Sequence, residues 1–155
     1  MKNIIYLEGC DCSGKTTLAQ EFMANGYHYF HSTYFKGMNV EEAHLYTAKL
    51  IQETESDVVL DRGPLSEYVY GTTFRDSWYG IDVYNSIMKK IAPTKQILCA
   101  PQFDKVLKCF NDPEREEMFK SEDIEDIYVL YKEAVLLDDR FGEWEIYDYN
   151  KEGEV

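Results

Sequence analysis

The segment Gly9-Cys10-Asp11-Cys12-Ser13-Gly14-Lys15-Thr16 fits the spacing G-x-x-x-x-G-K-[ST] at every fixed position. The chemistry of that spacing is phosphate binding. Glycines let the backbone curl so that its N–H groups converge on phosphate oxygens, and a following helix N-terminus adds partial positive charge. Lys15 is expected to reach the β- and γ-phosphates of a nucleoside triphosphate, and the Thr16 hydroxyl to help hold Mg²⁺. With Thr17, residues 9–17 form the expected contact surface for the ATP phosphates. A second group of chemical residues lies downstream in Asp61-Arg62-Gly63-Pro64-Leu65-Ser66-Glu67-Tyr68-Val69-Tyr70. Asp61 is placed to receive Mg²⁺-bound water or orient an acceptor, and Arg62 to clamp an acceptor or a phosphate.

Two acceptor chemistries fit these side chains. A phosphate acceptor is already an anionic nucleophile and needs cations, for which Lys36, Arg62 and Arg75 are candidates. A hydroxyl acceptor is better served by a carboxylate within reach of its proton, for which Asp11, Asp61 and Glu67 are candidates. The aromatic residues Tyr34, Phe35, Tyr68, Tyr70 and Phe74 fall near both groups, where they either stack a base or pack the core. Trp78 and Tyr79 read as packing.

These residues need a scaffold that holds two loops side by side. Short apolar runs alternate with amphipathic ones, which predicts an α/β fold with three layers and about five parallel strands, a single domain over 1–155. Strands are expected at Asn3–Leu7, Tyr27–His31, Val58–Leu60, Gln96–Ala100 and Trp144–Tyr149. Helices are expected at about Lys15–Asn25, with Leu18, Ala19, Phe22 and Met23 on one face, and at Val40–Thr54 with Asn39 as N-cap. Further helices are expected from near Ser66, over Val83–Ile91, over Phe103–Phe110 and over Glu122–Leu137. The last carries the stripe Ile124, Ile127, Tyr128, Tyr131, Ala134 and Val135. The charged segment at about 112–121 reads as a short lid.

Composition sets outer limits. The chain has 155 residues and a formal net charge of −13. Residues 1–111 hold 11 basic and 13 acidic residues, whereas residues 112–155 hold 5 and 16, so most of the acidity lies in the last third. No apolar run approaches the roughly 20 residues of a membrane span. Ile4–Leu7 is too short for a signal sequence, so a cytoplasmic protein is expected. The four cysteines, Cys10, Cys12, Cys99 and Cys109, are then expected as reduced thiols, and their spacing to His28, His31 and His44 matches no zinc site. Asn150-Lys151-Glu152 has Glu where a guanine-reading N-K-x-D segment has Asp.

The sequence resembles the thymidylate kinase and deoxynucleoside kinase branch of P-loop kinases. The resemblance rests on Glu8-Gly9-x-Asp11-x-x-Gly14-Lys15-Thr16-Thr17 and on Val59-Leu60-Asp61-Arg62 followed by Ser66 and Tyr70, and extends more loosely over the rest of the chain. It implies that Asp11 contacts the acceptor sugar, that Asp61 and Arg62 lie between donor and acceptor, and that Ser66, Glu67 and Tyr70 border the acceptor. It also implies that Arg115 of the lid, with Lys120, supplies a cation to the transferred phosphoryl group. Homodimers are typical of that family. The sequence departs from it at Gly71, where thymidylate kinases carry a base-reading glutamine, and compact phage nucleotide kinases share this look. The resulting expectation is a phosphotransferase moving the γ-phosphoryl of ATP to a pyrimidine deoxynucleoside monophosphate. The alternatives are a hydroxyl acceptor, on a deoxynucleoside or on 5-hydroxymethyluracil in DNA, and a non-catalytic nucleotide-sensing module.

Overall fold

The computed structural model describes residues 2–32, 39–113 and 121–150. Within them the chain runs β1 (Ile4–Glu8), α1 (Lys15–Ala24), β2 (His28–His31), α2 (Val40–Glu53), β3 (Val58–Asp61), α3 (Pro64–Tyr70), α4 (Ile81–Ile91), β4 (Lys95–Cys99), α5 (Phe103–Phe110), α6 (Ser121–Leu136) and β5 (Glu145–Tyr147). A π-helical turn at Gly71–Arg75 follows α3, and a 3-10 turn at Asp139–Phe141 precedes β5. The five strands form one sheet in the order β2-β3-β1-β4-β5. All four pairings are parallel, in keeping with central strands buried along their whole length on both faces.

Side-chain alternation along β1 divides the core. Ile4 and Tyr6 point with Val58, Leu60 and Leu98 toward α2 through α6, where Ile51, Leu65, Ile87, Val106 and Ile127 close the larger cluster. Ile5 and Leu7 point with Val59, Ile97 and Cys99 toward α1, which covers them with Leu18 and Ala19. Phe22 packs at the edge of that smaller cluster. The expected stripe on α1 loses one member, because Met23 at its margin is 46% exposed. Asn39 caps α2 as expected, its side chain accepting from the Glu42 N–H at 3.1 Å. The expected lid falls largely on 114–120, outside the described residues.

Register decides where the functional loops meet. Leu7 lies opposite Asp61, and His31 lies opposite Asp61 on the other side of β3. The order reverses direction beside β1, so the carboxyl ends of β1 and β3 form the crevice in which open α/β sheets bind ligands. The turn that follows α3 was not foreseen. Its glycine explains one departure from the family pattern. A Cβ on Gly71 would lie 2.3 Å from the Ser77 carbonyl oxygen, so no side chain fits where thymidylate kinases place a glutamine.

Gly71 has ordinary right-handed helical angles, φ −63° and ψ −45°. Propensity alone would therefore make Gly71→Ala stabilising by about 0.4–1 kcal/mol. Overpacking against backbone reverses the sign, and we expect Gly71→Ala to lose about 1–3 kcal/mol. Urea unfolding at unchanged slope measures it.

Candidate active site

The loop between β1 and α1 encloses a cavity of about 410 Å³, lined by residues 10–17 together with Cys109 and Tyr149. Gly9 has φ +153°, and a Cβ there would meet the Ser13 Oγ at 2.7 Å and the Cys99 carbonyl oxygen at 2.8 Å. Gly14, at φ +85°, leads into α1, and a Cβ on it would meet the Tyr149 ring at 2.8 Å. Cys12 also adopts a left-handed conformation, φ +65°, which costs a non-glycine residue energy and gives the loop its curl. The Ser13 hydroxyl is buried and has no hydrogen-bond partner among the described residues. An unpaired buried hydroxyl in a curled glycine loop fits an acceptor-rich phosphate.

Lys15 opens α1 and is 7% exposed. Its ammonium donates to Asp61 Oδ1 at 2.5 Å, while the Tyr29 hydroxyl donates to Oδ2 at 2.6 Å. Burial opposes ionisation of Asp61, but the Lys15 charge and these two hydrogen bonds outweigh it, so the carboxyl is held below its usual range. The next residue, Arg62, has φ +72°. Its backbone N–H donates to the Leu7 carbonyl at 3.0 Å, and its Nη2 reaches Asp11 Oδ1 at 3.3 Å. The guanidinium lies 5.0 Å above the centre of the Tyr70 ring. This left-handed conformation in a non-glycine residue costs energy and turns the chain sharply at the strand end, aiming the Arg62 side chain back over the phosphate loop. Thus Lys15, Asp61, Asp11, Arg62 and Tyr70 are brought together, with Thr16 and Thr17 exposed on the first turn of α1.

Ser66, Glu67 and Arg75 are placed differently from one another. The Ser66 hydroxyl donates to Glu8 Oε1 at 2.6 Å. Glu67 is 9% exposed and accepts from Arg75 Nη2 at 2.7 Å, across the π-helical turn. Beside this pair, His44 Nδ1 lies 2.9 Å from the Tyr79 hydroxyl. Lys36 and Arg115, like Tyr34, Phe35 and Lys120, lie outside the described residues.

Glu8 is the residue whose role the sequence concealed. It has no exposure. Its Oε2 accepts from the Tyr6 hydroxyl, from the Gly63 N–H at 2.9 Å and from the Ser66 N–H at 3.0 Å. Its Oε1 accepts from Ser66 and from the Tyr131 hydroxyl at 3.0 Å. The one available signal was an acid ending a wholly apolar strand, where a charge must find partners. The expected state of the cysteines also changes. Cys12 and Cys109 form a disulfide, with Cα atoms 5.8 Å apart, while Cys10 and Cys99 are free and buried. Among the described residues no three His, Cys, Asp or Glu side chains gather as a metal cage. No described helix is long and apolar enough to cross a membrane.

No protein-family model matches the sequence, and no curated protein does. Solved structures do match. The YorR protein from Bacillus subtilis, in complex with phosphorylated GDP, superposes with a TM-score of 0.77 at 25% identity, over 96% of this chain and 87% of that one. The deoxyadenosine kinase from M. mycoides with bound dATP gives 0.67 at 16% identity, over 96% and 91%. The same enzyme with products dCMP and a flexible dCDP gives 0.63 at 16%, over 94% and 90%. These neighbours agree with the expectation carried by the two motifs, a compact P-loop fold of the nucleoside and nucleotide kinase type.

Two stability tests follow from the site. Ser66→Ala removes a donor from a buried carboxylate and is expected to cost about 1–3 kcal/mol in chemical unfolding. His44 is buried, and burial lowers its pKa from 6.5 to about 4. As pH falls through 6.5 the unfolded chain takes up this proton first, so stability declines from pH 6.5 toward 4. Unfolding curves across that range should show wild type losing on the order of 3 kcal/mol more than His44→Gln.

Proposed function

We propose that this protein is a nucleoside or nucleotide kinase that moves the γ-phosphoryl group of ATP to a deoxynucleoside-type acceptor. The observation that carries the reading is the Lys15–Asp61 pair at the floor of a curled glycine loop, with the Asp11–Arg62 pair beside it. In this reading the loop N–H groups and the Ser13 hydroxyl bind the phosphates. Lys15, shared with Asp61 in the free protein, turns its charge to the β- and γ-oxygens. Arg62 is held over Tyr70 by its backbone conformation and stabilises charge on the group in transit. Thr16 and Asp61 are the residues that would hold Mg²⁺, which partly neutralises the phosphates when bound and keeps most of its ligands as phosphate oxygens and water.

The acceptor follows from charge pairing. The two described cations on the acceptor side are each matched by a carboxylate, Arg62 by Asp11 and Arg75 by Glu67. A dianionic monophosphate needs uncompensated cations, whereas a hydroxyl needs a carboxylate that can receive its proton. Asp11 is one-third exposed beside the loop and suits that task. The deoxynucleoside hydroxyl therefore ranks ahead of the pyrimidine monophosphate, and the deoxyadenosine kinase neighbours support the same order. The missing side chain at Gly71 also removes the thymine-reading group of thymidylate kinases.

Labelled ATP offered with deoxynucleosides, deoxynucleoside monophosphates and hydroxymethyluracil DNA tests the proposal. The expected product is a deoxynucleoside monophosphate. Label found only in diphosphates or only in DNA reverses the ranking, and no transfer to any acceptor leaves a nucleotide-sensing module. Lys15→Ala should lower kcat/KM roughly a hundredfold or more.

A further inference from the structure

The phosphate loop contains a cross-link that phosphate binding does not require. Cys12 lies between the two loop glycines, and its sulfur is joined to Cys109 in the last turn of α5, 97 residues away in sequence. Both residues line the loop cavity, Cys109 exposed and Cys12 partly so. The remaining cysteines contrast with them. Cys10 and Cys99 are 3% and 1% exposed, and burial pushes both thiols up to about 12. Reactivity of a thiol follows its thiolate fraction and its access. Of the four sulfurs, the two that small thiols can reach are the two that are joined.

We propose that Cys12 and Cys109 form a redox-active dithiol site that exchanges with low-molecular-weight disulfides and sets the affinity of the loop for ATP. The inference rests on reading the loop as the ATP site. Oxidation proceeds by two exchanges. The Cys12 thiolate attacks a small disulfide RSSR, forming Cys12–S–S–R and releasing RS⁻. The Cys109 thiolate then attacks the Cys12 sulfur, closing the protein bridge and releasing the second RS⁻. Two protein thiols lose two electrons and two protons, and RSSR becomes two RSH. Reduction by excess thiol runs the same steps backward.

The bridge matters for binding because of where it is anchored. A phosphate loop must fold its N–H groups around the oxygens, and Cys12 stands in the middle of that curve with φ +65°. Fixing its sulfur to α5 prevents the loop from adjusting, and it sets two sulfur atoms in the cavity wall. The bridged state is therefore the weak-binding state, and the dithiol the strong-binding one.

The test equilibrates the protein in glutathione buffers from fully reduced to fully oxidised, then reads two quantities. Differential alkylation with peptide mass spectrometry should find a Cys12–Cys109 link in the oxidised sample, with Cys10 and Cys99 alkylated only after denaturation. Calorimetric titration with ATP should find binding at least tenfold weaker in the oxidised sample, restored by dithiothreitol. In Cys109→Ser, and in Cys109→Ala should the first fold poorly, the ratio between the two conditions should be near one. Absence of the linked peptide overturns the site. A link without an affinity change overturns its control of ATP. No ATP binding in either state overturns the nucleotide reading and the control with it, while the peptide map still decides whether the dithiol exists.

Discussion

A carboxylate cannot be left in a protein interior without donors, and Glu8 is the carboxylate around which this site is assembled. Removing it from water costs several kcal/mol unless its oxygens are saturated. The donors come from three elements, β1, α3 with the residue before it, and α6. Gly63 is the residue just before α3 and Ser66 lies in its first turn, while Tyr131 belongs to α6 and Tyr6 to the same strand as Glu8. Tyr6 completes the arrangement by accepting from the Leu65 N–H at 2.9 Å. The first turn of α3, which has no cap of its own, is thus capped by β1. Since α3 begins two residues after Arg62, fixing its start fixes the Asp61–Arg62 turn against the phosphate loop.

Charge compensation then divides the site into two halves with different properties. On the donor side, Lys15 and Asp61 form a nearly water-free pair that survives because Tyr29 supplies an additional hydrogen bond to the acid. In the proposed reaction Lys15 leaves this pair for phosphate oxygens, which offer it more negative charge than one carboxylate does. On the acceptor side, Arg62 and Arg75 are paired with acids from the phosphate loop and from α3. Their role becomes one of orientation. Arg62 is further restrained by the Tyr70 face, worth about 0.5–2 kcal/mol depending on desolvation. Lys15 and Arg62 each find their acid across the crevice, so the register of β1 with β3 holds the two motifs against each other, while Glu67 and Arg75 pair locally across the turn after α3.

What could be read from the sequence was whatever is encoded locally. The phosphate loop is eight consecutive residues, Asn39 reaches only to Glu42, and the buried run Val58–Leu60 needs no partner to be recognised. The Glu8 network could not be read, because apart from Tyr6 its partners lie 55 to 123 residues away and only the tertiary fold brings them in. The disulfide is hidden for the same reason, since Cys12 and Cys109 lie 97 residues apart. Gly71 was visible as a departure but not as a constraint, since the Ser77 carbonyl returns to it through a π-helical turn that leaves no periodic trace in six residues. Ser66 illustrates the middle case. Its position in the motif was legible, whereas its commitment to a buried acid was not.

The net charge of −13 has to be read through the same local logic. A net −4 of it belongs to α6, where Glu122, Glu125, Asp126 and Glu133 are exposed while Ile124, Ile127, Tyr131 and Ala134 are buried on the other side. The acids in the first turn favour the helix through its dipole, and the buried face delivers the Tyr131 hydroxyl to Glu8. At physiological ionic strength such surface charge is screened within about 8 Å, so it governs solubility more than the choice of an acceptor in the crevice. The acids of the site are instead each held by a specific partner. Glu8 is committed to the start of α3, Asp61 to Lys15, Glu67 to Arg75 and Asp11 to Arg62, and of these four acids Asp11 is the most exposed.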